Sequence, residues 1–296
     1  MCARTEEVQT VTLEPARPSE RSSRLARLLR SARFEVIPAT GATEKVRGAL
    51  PSGTTVTVTC SPQHGIDRSL DVAVDLSAAG FAVVPHLAAR MVSGRDHLKR
   101  ILERLESANI HEAFVVGGDA TVPVGTFRDA GDLLDALASL PNSLDHIGVG
   151  GYPEGHPLVR EAALLEALRR KQPHAHYIVT QLCFDSDALT RWISSIREAG
   201  ITLPVVVGLP GCVERRKLAE VSLQVGVGAS LRYLAHHRRQ LVALARSRTY
   251  DPTALAGAIA THFDEPDLRL RGAHLFTFNQ VEATQSWLRG ALLLQM

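Results

Sequence analysis

The chain has 296 residues, 45% hydrophobic, 22% charged and 5% aromatic, which suits one large domain or two average ones and excludes low-complexity disorder over most of its length. Its 33 Lys and Arg nearly balance 31 Asp and Glu, so the formal charge of +2 supplies no broad field for nucleic acid or anionic lipid. Cys2, Cys60, Cys183 and Cys212 are too dispersed for a disulfide scaffold or a paired zinc-ligand set and read as reduced thiols.

Residues 1–22 mix Thr, Glu, Pro, Arg and Ser without sustained periodicity and are expected to form a mobile extension ahead of one domain spanning 23–296. The start of the chain lacks the apolar run of a signal peptide, and no later stretch approaches the roughly 20 apolar residues of a membrane span, so a soluble cytoplasmic protein is expected.

Short runs rich in Val and Ile then alternate with longer amphipathic segments. Strands are predicted at 33–38 and 54–59, followed by a helix at 67–79. A strand at 81–86 leads to a helix at 94–108, in which Leu98, Ile101, Leu102 and Leu105 share one face and Lys99, Arg100, Glu103 and Arg104 the other. The pattern repeats as strand 112–117 and helix 130–140, strand 146–150 and helix 157–171, then strand 176–181 and helix 186–199, which Gly200 stops. Strand 203–208 precedes a helix at 213–223, extra helices are expected at 229–247 and 253–262, and a last strand falls at 272–278. Eight strands alternating with helices predict an α/β fold of the (β/α)8 TIM-barrel type, with extra helices before the last strand. An open doubly wound sheet is disfavoured because no G-x-G-x-x-G follows the first strand.

In such a barrel the chemistry gathers at the carboxyl ends of the strands. Glu35 is flanked by Phe34, Val36, Ile37 and Pro38, surroundings that raise a carboxyl pKa and suit a proton donor, the alternative being a structural pair with a cation such as Arg33. Asp119 follows two glycines and can mark the polar edge of a ligand site or cap a helix. The loop Gly150-Gly151-Tyr152-Pro153-Glu154-Gly155-His156-Pro157 reads as a binding loop carrying Tyr152 and His156. His86 is a ligand contact or a hydrogen-bonded core histidine, and Gln181 offers both a donor and an acceptor to the edge of a heteroaromatic ring. The run His236-His237-Arg238-Arg239 reads as a solvated helix face, Cys183 as an inert buried thiol, and the 12 histidines contain no H-E-x-x-H pair, so no metal site is expected.

Taken in order, Phe34-Glu35, Pro85-His86-Leu87, Gly118-Asp119, the Tyr-Pro-Glu-Gly-His-Pro segment 152–157, Thr180-Gln181 with Phe184-Asp185, and His274-Leu275-Phe276-Thr277-Phe278-Asn279 resemble the methylenetetrahydrofolate reductase family from about residue 33 to 290. The resemblance implies a TIM barrel that reduces 5,10-methylenetetrahydrofolate with NADH or NADPH, usually through FAD. It implies Glu35 as the acid that opens the methylene bridge to an iminium and Asp119 as the carboxylate near the pterin. It further implies Gln181, Asn279 and Gln280 as substrate contacts, with Ser69, His86, Gly118, Tyr152, His156 and Arg170 on the cofactor side.

Three departures concern these contacts. Gly117 stands where the family commonly has an Arg on the FAD phosphates, Ala163 where it has an acid on the FAD ribose, and Gln280 where it often has Arg. Each lost charge-assisted contact is worth about 1.5–3 kcal/mol, so weak or no FAD binding is expected, with direct hydride transfer from the nicotinamide. The competing expectation, from another functional class, is a non-catalytic folate-binding or regulatory barrel that has lost its cofactor.

Overall fold

The computed structural model describes residues 18–224 and 248–293. Eight parallel strands close into a barrel in chain order: β1 (Arg33–Val36), β2 (Thr55–Val58), β3 (Ala82–Ala88), β4 (Glu112–Val116), β5 (His146–Gly151), β6 (Tyr177–Thr180), β7 (Val205–Pro210) and β8 (Leu270–Phe276). Closure is made by β1 against β8, where Glu35 pairs with Phe276, while on its other side Glu35 pairs with Thr57 of β2. All eight predicted strands are present.

The helices are α1 (Pro18–Arg30), α2 (Ala42–Ala49), α3 (Gly65–Ala78), α4 (Arg95–Ser107), α5 (Ala130–Ala138), α6 (Glu161–Lys171), α7 (Ser186–Glu198), α8 (Arg215–Gln224), α9 (Thr253–Ala260) and α10 (Val281–Leu293). Helix α1 begins inside the expected extension, because Leu28 and Leu29 are fully buried where it packs on β8, α9 and α10. Residues 1–17, the expected helix at 229–247 and the His236–Arg239 run lie outside the described residues. No helix among the described residues is long and apolar enough to cross a membrane.

Alternation along the strands separates two cores, as the two-residue side-chain period requires. Phe34, Val36, Val56, Val58, Leu87, Val115, Ile178, Val207 and Leu275 join the large layer beneath the helices. The intervening Val84, Phe114, Tyr177, Val179 and Val206 form a smaller cluster inside the barrel. Below it, Arg33 donates to Glu112 Oε1 (2.6 Å) and to Tyr177 Oη (2.7 Å), with its guanidinium 4.5 Å from the Tyr177 ring. Arg33 is therefore committed at the amino end of β1 and is not the partner of Glu35, which lies one interior position further up the same strand.

Candidate active site at the carboxyl end of the barrel

The parity that sends Phe34 and Val36 outward turns Glu35 into the barrel, opposite interior residues of β3 and β8. Its Oε2 lies 3.0 Å from His274 Nε2 and 3.7 Å from His86 Nε2. Burial pushes the Glu35 carboxyl up, but the hydrogen bond from His274, together with the charges of His274 and His86, outweighs it and leaves the group below its ordinary value. This corrects the sequence expectation of a raised carboxyl: the apolar neighbours in sequence face the outer layer, and the spatial neighbours are two imidazoles.

His86 is buried against Phe114 in an edge-on ring contact at 4.7 Å. Burial lowers its pKa to about 4, so it is neutral near pH 7, and its Nε2 is enclosed without a hydrogen-bond partner. His274 is 1% exposed, and its Nδ1 is likewise unpartnered. Thr57 Oγ1, beside Glu35 in register, is a third enclosed polar atom without a partner. Three unpaired polar atoms around one carboxyl are costly in an apolar core and mark a place prepared for a polar ligand. The Thr-Val-Thr-Val alternation of β2 could have assigned Thr57 to the interior from sequence.

The rim is built from the loops after β4, β5 and β6. Asp119 is exposed in the first of these, and its charge adds to burial in pushing the Tyr152 phenol up. The Tyr152 and His156 rings meet edge-on at 5.1 Å, and His156 Nδ1 accepts from the Leu158 N–H. Gln181 is fixed by its own N–H on Gly151 O and by Leu182 N–H on its Oε1, and these bonds leave its Nε2 donors uncommitted. Gly118 has φ +87°, and a Cβ there would come 2.8 Å from the Ala88 Cβ, so the turn that carries Asp119 requires glycine on both counts.

Four other expected contacts are used otherwise. Asn279 accepts from Ile37 N–H (2.8 Å) and donates to Ile37 O (3.0 Å), so its amide clasps the end of β1 instead of facing a substrate. Gln280 accepts from Glu214 N–H and ties α10 to the loop after β7. Ser69 is fully buried, donating to Thr59 O and Gly65 O. Arg170 is held by Asp129, Asp132 and Asp135 at 3.3, 3.0 and 2.7 Å, an ion-pair hub between α5 and α6. All three carboxylates reach the same guanidinium.

Its neighbour Lys171, missed in the sequence, turns the other way: it is buried, donates to Gly150 O (3.2 Å) at the end of β5, and burial lowers its pKa to about 8. The only sequence signal was its place in the basic run at the end of α6. The remaining flavin positions offer little. A Cβ at Gly117 would meet nothing within 4 Å, and Ala163 is exposed without a polar side chain. Among the described residues, no group of three His, Cys, Asp or Glu is arranged to hold a metal ion.

A family model, methylenetetrahydrofolate reductase, matches residues 40–227. Methylenetetrahydrofolate reductase 2 of Saccharomyces cerevisiae is 36% identical over 89 residues, which cover 29% of this chain and 15% of the relative. A probable methylenetetrahydrofolate reductase (NADPH) of Caenorhabditis elegans is 27% identical over 143 residues, covering 45% and 21%. Methylenetetrahydrofolate reductase (NADH) 1 of Zea mays is 33% identical over 132 residues, covering 38% and 22%. The matched stretches thus span 15–22% of the length of these relatives. An uncharacterized protein from Clostridium thermocellum that binds two copies of 5-methyl-5,6,7,8-tetrahydrofolic acid shares the fold, with a TM-score of 0.61 over 89% of this chain and 95% of that one at 13% identity.

Proposed function

Because the chain belongs to the methylenetetrahydrofolate reductase family, we propose that it reduces 5,10-methylenetetrahydrofolate to 5-methyltetrahydrofolate with NADH or NADPH, by direct hydride transfer and without FAD. The observation that carries this reading is the enclosed Glu35 carboxyl with His274 at 3.0 Å and His86 at 3.7 Å. Each turnover consumes one hydride and one proton. The proton goes to the amine nitrogen released when the methylene bridge opens, and the hydride pair forms the new C–H bond at the methylene carbon.

The residues divide that work. Glu35 and His274 share a hydrogen-bonded proton and act together as the acid at the bridging nitrogen. His86, neutral through burial, presents an uncharged wall that does not repel the iminium. Asp119 at the rim supplies the negative charge that stabilises that cation, and Gln181 Nε2 donates to the pterin edge. A barrel that only bound folate would gain nothing from a carboxyl enclosed with two imidazoles.

The side chains argue against a resident flavin. Gly117 and Ala163 provide neither the cation nor the ribose acceptor the resemblance implies, Ser69 is spent on backbone carbonyls, and Arg170 is spent on three aspartates. The test is methylenetetrahydrofolate-dependent oxidation of NADH or NADPH by purified protein, with and without added FAD. Turnover by a colourless protein that ignores FAD is the expected result. Stoichiometric flavin absorbance, or turnover only with FAD, rejects the flavin-free route, while tight folate binding without turnover makes the chain a binding module.

A further inference from the structure

Most arginines whose partners are described meet carboxylates: Arg24 and Arg27 share Asp264, Arg33 takes Glu112, Arg104 takes Asp71, and Arg128 and Arg170 take the α5 aspartates. Arg90 differs. It sits in the short turn Ala89–Met91 that follows β3 at the mouth of the barrel. Its N–H donates to Gly117 O (3.0 Å), its carbonyl accepts from Val124 N–H (3.0 Å), and its Nη2 donates to Thr121 O (2.7 Å). Three bonds thus pin it to the loop after β4, yet no carboxylate among the described residues lies within ion-pair reach of its guanidinium, and its Nε is enclosed without an acceptor.

The loop it is pinned to is itself rich in uncommitted donors. The N–H groups of Gly118, Asp119 and Ala120 donate to no acceptor among the described residues. Gly118 has a positive φ inside that run, the backbone setting in which successive amides form an anion-binding concavity. Beside them, a Cβ at Gly117 would meet only open space. A permanently charged guanidinium pinned to this loop and a run of uncommitted amides within it are the donors that suit a phosphate group, whose oxygens accept several charge-assisted bonds at once.

We propose that Arg90, with the Gly118–Ala120 amides, forms an anion subsite that takes a phosphate group of the nicotinamide nucleotide. The assignment rests on the reductase reading for the identity of the ligand, and on this loop alone for the anion. Arg90 thereby supplies from β3 the cation that Gly117 lacks on β4.

The experiment titrates NADH, NADPH and inorganic pyrophosphate into the full chain and into Arg90→Gln and Arg90→Lys, with 5-methyltetrahydrofolate as the control ligand. Pyrophosphate should compete with NADH. Arg90→Gln should weaken both by about tenfold or more, Arg90→Lys should recover part of the loss, and folate affinity should stay unchanged. NADH affinity unaltered by Arg90→Gln, or wild-type protein that binds no pyrophosphate, overturns the subsite. Pyrophosphate binding that depends on Arg90 without binding of either NADH or NADPH keeps the anion subsite and removes the reductase reading. Should the variants fail to fold, phenylglyoxal modification of wild-type Arg90 is followed by peptide mass spectrometry: protection by pyrophosphate supports the subsite, and unchanged modification overturns it.

Discussion

His274 Nε2 and Glu35 Oε2, 239 residues apart in sequence, meet at 3.0 Å inside the barrel. The contact sits where β8 closes on β1, and Thr277 Oγ1 donating to Glu35 O at 2.6 Å and Asn279 clasping Ile37 fasten the same seam. Glu35 is therefore held by the last strand in chain order.

Replacing Glu35 by Gln keeps the shape and the contact with His274 but removes the carboxyl through which the pair would pass its proton. We expect kcat to fall by about 10²–10⁴-fold with folate affinity nearly unchanged. Steady-state kinetics beside equilibrium folate titration make the check, and unchanged kcat rejects the acid role.

His274→Leu removes the hydrogen bond that holds Glu35 down and leaves burial to dominate, so the Glu35 pKa should rise. The descending limb of the kcat pH profile should then move to higher pH, because the acid must be protonated to act. His274→Gln, which can still donate, should move it less. A limb that stays in place in the Leu variant separates the two groups functionally.

His86 contributes to stability in the opposite sense from a paired histidine. Its folded pKa of about 4 lies below the unfolded 6.5, so between these values the unfolded chain binds more protons and stability falls as pH drops. The loss should begin near pH 6.5, approach about 3 kcal/mol, and level off below about pH 4. Urea denaturation across that range, repeated on His86→Gln, should show the variant with a flatter profile.

Arg170→Ala should leave nucleotide affinity and turnover at wild-type levels, since its three aspartates occupy it on the flank of the barrel. The pairs are partly exposed, so a stability loss of no more than about 1 kcal/mol is expected from each. A selective rise in the NADH KM would return Arg170 to the cofactor side.

Gly118→Ala and Gly117→Ala should behave differently although the residues are adjacent. The first forces a Cβ onto positive φ and to 2.8 Å from Ala88, costing about 1–2 kcal/mol or more and disturbing Asp119. The second meets open space and should stay within about 0.5 kcal/mol of wild type. Urea midpoints of both variants decide it.

The barrel was legible because its signals are local. A β-rich run buried on both faces and an amphipathic helix each announce themselves within a dozen residues, as 112–117 and 94–108 did. Helix α2 went unseen because its eight residues bury only Ala42 and Val46, too few to set a period. Helix α10 follows the last predicted strand, and α1 begins at Pro18, inside the expected extension of residues 1–22, because its later residues Leu28 and Leu29 pack on β8.

By itself the sequence determined the order of elements, the closed-barrel class, and Glu35, Asp119, Tyr152, His156 and Gln181 as residues at strand ends. Only the tertiary structure decided what surrounds them. It gave Glu35 two imidazoles where the sequence offered apolar neighbours, spent Ser69, Arg170, Asn279 and Gln280 on internal bonds, and left Arg90 without a carboxylate among the described residues. The reason is physical: strand and helix periods act over a few residues, whereas pKa shifts and ion pairs depend on groups within a few ångströms in space. In a closed barrel those groups come from strands at opposite ends of the chain.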